Sequence, residues 1–146
     1  MKPVVSDTSF LFSLFGNDAH TLTARNWVSQ KGLPIAISVF NRYEFQNAIR
    51  FAAFRKAISG AEASATLDSF EADLKSGHLQ LVSVDLSAVL NEASNISARH
   101  TISGGHRSFD ILHVAVAKIL KASHFLTFDV NQRKLAKSVQ LEAGPQ

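Results

Sequence analysis

The sequence predicts an α/β fold, with a central, mainly parallel sheet of four to five strands flanked by helices, in a single domain over residues 1–146. Three observations predict it. Short β-rich runs recur along the chain at Pro3–Ser6, Pro34–Ser38, Leu79–Val84 and His124–Thr127. Stretches with helical apolar spacing separate them, which is the alternation of a parallel sheet. The chain has 146 residues, 46% of them apolar, enough for one sizeable core and too many for bulk disorder.

The elements follow in order. After the first strand, Asp7-Thr8-Ser9 opens an apolar segment that stops at Gly16-Asn17. A helix from about His20 to Gln30 ends at Lys31-Gly32. The second strand leads into a long helix, Val39 to Lys56, and a third helix runs from about Ala61 to Lys75. The third strand precedes a helix from Leu86 to about Ala98, and Ser103-Gly104-Gly105-His106 reads as the clearest loop. Arg107 to Ala122 is a strongly apolar helix ahead of the fourth strand. A short basic helix, Asn131 to Lys137, precedes an edge strand at Val139–Leu141.

Composition narrows the function. The absence of Cys excludes a disulfide framework, a thiolate metal site and a Cys nucleophile. No His pair stands at ligand spacing, which disfavours zinc. His113 reads as a helix residue facing the core and His106 as a loop residue, neither in a triad-like setting. The net charge of +3 permits an acidic partner or nucleic acid without demanding one. No apolar run approaches the ~20 residues of a membrane span. The first carboxylate, Asp7, comes too early for a signal-peptide apolar region. A soluble, cytoplasmic protein is expected.

With only 18% charged residues, acids embedded in apolar segments carry information. Asp7 and Asp129 each end a strand, and in open α/β sheets the functional crevice lies beyond the strands' carboxyl ends. Each is equally a natural helix N-cap. Glu44 is placed by helical geometry roughly 160° from the polar face formed by Arg42, Gln46 and Arg50. A carboxylate there is costly unless paired or bound to a cation, and Arg55 on the same side is a candidate partner. Asp110 sits in the first turn of a largely apolar helix, where a negative charge suits the dipole or faces a crevice. Crowded carboxylates repel, and a divalent cation such as Mg²⁺, which prefers oxygen ligands, removes that penalty.

These residues resemble a PIN-domain ribonuclease of the VapC-like toxin kind. The matching pieces are Val4-Val5-Ser6-Asp7-Thr8-Ser9-Phe10-Leu11, Ser38-Val39-Phe40-Asn41-Arg42-Tyr43-Glu44, Arg107 through Ala117, and Phe125-Leu126-Thr127-Phe128-Asp129. The resemblance implies a PIN-like three-layer fold and a Mg²⁺- or Mn²⁺-dependent endoribonuclease. Asp7, Glu44, Asp110 and Asp129 would be its acidic, metal-holding site, with Thr127 as the hydroxyl beside the last acid. It further implies RNA hydrolysis by a metal-activated water, a homodimer, and inhibition by a small cognate antitoxin of the VapB kind.

Basic clusters at Arg42, Arg50, Arg55 and Lys56, and at Lys118, Lys121, Arg133, Lys134 and Lys137, are candidate phosphate contacts. Phe10, Phe12, Phe15, Phe45, Phe51 and Phe54 exceed what one small core obviously needs; core packing is the default reading, and a dimer or antitoxin surface is the alternative for some of them. Two other readings compete. One is a non-catalytic PIN-like module that binds RNA or a partner without cutting. The other is a phospho-receiver-like domain with Asp85 as acceptor.

Overall fold

The computed structural model describes residues 2–146. Its elements are β1 (Val4–Ser6), α1 (Thr8–Phe15), α2 (Thr21–Lys31), β2 (Ile35–Ile37), α3 (Val39–Phe54) and α4 (Gly60–Ser76). They continue with β3 (Leu79–Leu81), α5 (Leu86–Gly104), α6 (Ser108–Ile119), β4 (His124–Leu126), α7 (Val130–Ser138) and β5 (Ala143–Gly144).

The strands form one sheet in the order β3-β2-β1-β4-β5, and every pairing is parallel. Alternate strand residues serve opposite faces, as a period of two requires. Val4, Ile35, Ile37 and Leu126 pack with Phe10, Leu11, Ala24, Phe45, Ile49, Ala63 and Phe70, so α1 to α4 cover one face. Val5, Ala36 and Phe125 pack with Val89, Ile96, Ile111, Val114 and Leu135, so α5 to α7 cover the other. The result is the expected three-layer α/β arrangement.

The strand order positions the site. From β1 the chain winds outward through β2 to β3, then returns to lay β4 on the other side of β1. The carboxyl ends of β1 and β4 therefore flank the point where the order reverses, which is where open α/β sheets leave a crevice. Ser6 is in register with Leu126, and the Asp7 N–H donates to the Leu126 carbonyl at 3.0 Å. Asp7 and Thr127 leave the sheet side by side.

Three sequence expectations need correction. Helix α5 runs on to Gly104 rather than ending near Ala98. Of the two glycines in the expected loop, only Gly105 takes the left-handed conformation (φ 69°), and its N–H closes the helix on the Thr101 carbonyl. The third strand stops at Leu81, three residues early, because its one neighbour, β2, ends opposite it at Ile37, where Ser38 already caps α3. The last strand is at Ala143–Gly144, not Val139–Leu141: α7 extends to Ser138, and Gln140 (φ 62°) must first turn the chain.

The phenylalanines divide. Phe45 and Phe70 stack at 4.5 Å between centroids, and Phe15 packs edge-on against both. Phe10 is fully buried and Phe12 packs on the same core. Phe51 and Phe54 are exposed.

Candidate active site

Asp7 caps α1, yet the cap uses only one of its oxygens. Oδ1 accepts the Phe10 N–H at 3.0 Å and the Ser9 hydroxyl at 2.8 Å. Oδ2 accepts the Thr127 hydroxyl. The carboxylate is 4% exposed. Burial pushes its pKa from 3.8 up to about 6, although the bonds from Thr127, Phe10 and Ser9 oppose the rise. The capping and functional readings of Asp7 are thus compatible.

Thr127 is wholly buried. While donating to Asp7, its Oγ1 accepts the Asp129 N–H at 3.0 Å. The Ser9 hydroxyl oxygen accepts the Phe128 N–H at 3.1 Å. One network therefore joins the ends of β1 and β4. Asp129 caps α7 through Oδ1, which accepts the Gln132 N–H at 2.8 Å. Gln132 also donates from Nε2 to the Asp110 carbonyl at 2.9 Å, so the start of α7 is tied to the start of α6.

Glu44 enters from α3. Its Oε1 accepts the Thr8 hydroxyl and lies 2.7 Å from His113 Nε2. The imidazole's tautomer follows from its other nitrogen. Asn41 Nδ2, identified as the amide donor by its 2.9 Å bond to the Ser6 carbonyl, is 3.2 Å from His113 Nδ1. Nδ1 therefore accepts, and Nε2–H donates to Glu44. Burial works to raise the Glu44 pKa, but the bonds from His113 and Thr8 and the charge of Arg107 outweigh it and hold the group below the usual glutamate range. Arg55 plays no part in this, since its guanidinium lies over the Phe51 ring at 5.3 Å.

Asp110 stands in the first turn of α6, 3.8 Å from Arg107 Nε. Burial raises its pKa. Arg107 opposes that rise, while the negative charges of Glu44 and Asp129 reinforce it. Asp110 therefore feels the charges of Glu44 and Asp129 at the carboxyl-terminal side of the sheet. Among the described residues, however, no three carboxylates or imidazoles are close enough together to ligate a single ion directly. The donor set is all oxygen, and it suits a hard cation that keeps part of its water shell and needs only one or two carboxylates.

Several expectations find other outcomes. Arg42 is paired with Glu71. Arg133 donates to the Thr127 and Pro145 carbonyls at 2.9 Å, and Lys118 donates to the Val139 carbonyl at 2.7 Å. These cations brace the fold. Arg107, whose side chain is 86% exposed, is the cation beside the acids. Asp85 merely caps α5 beyond the edge strand, accepting the Ala88 N–H, so the receiver-like reading lacks its central-strand acid. A cleft of about 570 Å³ lined by Leu14, Pro34, Gly77 and Leu79 lies at the opposite, amino-terminal edge of the sheet. Among the described residues no helix is long and apolar enough to cross a membrane.

His113, Asn41 and Ser9 were not among the expected site residues. His113 carried a signal, being a polar ring on the buried face of an apolar helix three residues after an acid.

A PIN domain family profile matches residues 4–138. Compared by sequence with curated proteins, the chain matches none. Among solved structures it is similar to VapC20 of Mycobacterium tuberculosis, described as a sarcin–ricin loop cleaving toxin. The TM-score is 0.68 at 18% identity, covering 94% of this chain and 95% of that one. It is similar to VapBC2 of Rickettsia felis bound to a promoter DNA fragment, with a TM-score of 0.68, 16% identity, and coverage of 97% and 96%. FitAcB of Neisseria gonorrhoeae gives a TM-score of 0.63 at 12% identity, with coverage of 97% and 96%. At these identities the structural likeness concerns the fold.

Proposed function

The chain belongs to the PIN domain family, and from that premise we propose that it is a metal-dependent endoribonuclease, a VapC-like toxin. The observation that supports the reading is the hydrogen-bond network at the ends of β1 and β4, in which Thr127 serves both Asp7, buried with its pKa pushed up to about 6, and the Asp129 N–H, with Asp110 feeling the charges of Glu44 and Asp129.

One or two of the carboxylates Asp7, Glu44, Asp110 and Asp129 would ligate Mg²⁺ or Mn²⁺ directly, and the others would hold it through its remaining waters. When bound, the cation supplies charge neutralisation and a water of lowered pKa for attack on phosphorus. The chain's own residues do the rest. Thr127 fixes one oxygen of Asp7 and, through its N–H acceptor role, the entry of Asp129 into α7. Thr8 and His113 hold Glu44 ionised in one orientation. Asp110, raised by burial and further by its acidic neighbours, is the carboxylate suited to take a proton from the attacking water. Water adds in line to the phosphorus, the P–O3′ bond breaks, the departing O3′ takes a proton from solvent, and the products carry a 5′-phosphate and a 3′-hydroxyl.

The similarity to VapC20 and to the VapBC2 complex supports an RNA substrate and a small VapB-like antitoxin. A homodimer acting in the cytoplasm belongs to the same reading. The test is cleavage of RNA by purified protein in Mg²⁺ and in Mn²⁺, with Asp7→Asn and excess EDTA as controls. Metal-dependent cleavage by the wild type and none by the variant is expected. RNA binding without cleavage in either metal would favour the binding-module alternative instead.

A further inference from the structure

Tyr43 and Phe109 each stand one residue before an acid of the proposed site. Their rings meet across the α3–α6 seam, with centroids 6.1 Å apart and planes tilted by 53°. Phe109 also packs edge-on against His113 at 6.2 Å, the imidazole that donates to Glu44. The aromatic pair therefore borders Glu44 and Asp110 on their α3–α6 side. Tyr43 is 63% exposed, an apolar face turned to water beside a cluster of carboxylates.

This border also carries a cation. Arg107 extends into solvent, lies 3.8 Å from Asp110, opposes the rise of the Asp110 pKa and contributes to the lowering of that of Glu44. A polyanionic strand approaching four carboxylates is repelled by them and has to be held by groups at their edge. Aromatic faces together with a guanidinium are the combination that holds single-stranded nucleic acid. Bases stack on the rings and the cation meets a phosphate. A base inside a duplex has no free face to offer.

We propose that Tyr43 and Phe109 form a seat for one unpaired nucleobase flanking the scissile phosphate, with Arg107 contacting the adjoining phosphate. The proposal rests on the ribonuclease reading and deepens it by specifying single-stranded RNA and the residues that select it. A second exposed aromatic pair, Phe51 and Phe54, lies at least ~10 Å further along α3 from Glu44 by helical rise, and it provides an internal control.

Tyr43 is the sole tyrosine, so quenching of tyrosine emission, with Tyr43→Phe as blank, reports occupancy of this seat. Binding of a short single-stranded RNA is measured without turnover, in EDTA and in Ca²⁺, for the wild type, Tyr43→Leu, Phe109→Leu, Tyr43→Phe and Phe54→Leu. The same RNA carrying an abasic nucleotide at each position in turn is the second probe. Base-on-aromatic stacking predicts that the leucine variants at 43 and 109 lose about 5- to 150-fold in affinity. Tyr43→Phe and Phe54→Leu should bind as the wild type does. One abasic position should weaken wild-type binding by a similar factor and leave Tyr43→Leu indifferent. Unchanged affinity in both leucine variants, or an equal loss in Phe54→Leu, overturns the proposal. So does unchanged RNA affinity accompanied by weaker binding of a protein partner, which would assign the aromatic pair to that partner. Wild-type cleavage with unaltered binding in Tyr43→Leu sinks the seat alone, whereas neither cleavage nor RNA binding sinks the ribonuclease reading with it.

Discussion

Replacing Asp7 with Asn is expected to stabilise the protein while removing its proposed activity. The exchange preserves shape and keeps each contact paired, with one bond reversed in direction and the second amide N–H left without a partner, which offsets part of the gain. The amide oxygen accepts from the Phe10 N–H and the Ser9 hydroxyl as Oδ1 does now. The amide nitrogen takes the place of Oδ2 and donates to Thr127 Oγ1, reversing the present bond. That oxygen then receives two donors, the new amide and the Asp129 N–H, which matches its two lone pairs. The Thr127 proton turns toward Ser9 Oγ, 3.4 Å away. What the variant removes is the cost of a buried charge. The Asp7 pKa rises from 3.8 to about 6 on folding. Such a raised acid favours the folded state fully only below pH 3.8, and that advantage is lost as pH climbs to 6 and beyond. The interval corresponds to about 3 kcal/mol, an upper figure. Urea denaturation in metal-free buffer is the assay, at pH 4, 5, 6 and 7. The stability difference between variant and wild type should start near zero, grow through pH 4–6 and level off at about 1–3 kcal/mol. Asp110 and Glu44 titrate in both proteins and largely cancel. A variant no more stable than wild type at pH 7, or a difference independent of pH, would refute the reasoning.

Other outcomes follow from particular contacts. Thr127→Val deletes the hydroxyl that serves both Asp7 and Asp129; it should cost about 1–3 kcal/mol and raise the Asp7 pKa further, measured by denaturation and by NMR titration, while Thr127→Ser retains both bonds. His113→Leu strips Glu44 and Asn41 of a partner in a fully buried position; a loss of about 2–3 kcal/mol is expected, with a fall in kcat exceeding any change in KM. Gly16→Ala would set a Cβ 2.6 Å from the Phe12 carbonyl oxygen, and because backbone cannot yield cheaply, thermal denaturation should show a loss of about 1–3 kcal/mol.

Much of the architecture was legible because it is written in local patterns. The strand-then-acid sequences Val4-Val5-Ser6-Asp7 and Phe125-Leu126-Thr127-Phe128-Asp129 place both aspartates just past strand ends, and the parallel pairing sets Asp7 beside Thr127, which also bonds the Asp129 N–H. Glu44 was conspicuous because helix geometry puts it on an apolar side. Its partner was not, because Arg55 lies eleven residues further along the same helix, ~16 Å away by rise, whereas His113 arrives from α6. Such pairings depend on tertiary placement, and no spacing rule along the chain encodes them. The same holds for the basic residues: Arg42 and Arg133 read as candidate phosphate contacts, and only tertiary placement gives them Glu71 and the Thr127 carbonyl as partners. Strand β5 left no pattern at all, because Ala143 and Gly144 are placed by backbone pairing with Phe125 and Leu126.

Mn²⁺ affinity, followed by electron paramagnetic resonance in the wild type and in Asp7→Asn, Glu44→Gln, Asp110→Asn and Asp129→Asn, tests the shared acidic site most directly. The account predicts saturable binding by the wild type and weaker binding in each of the four variants. Undiminished affinity in most of them, or no binding by the wild type, would contradict it.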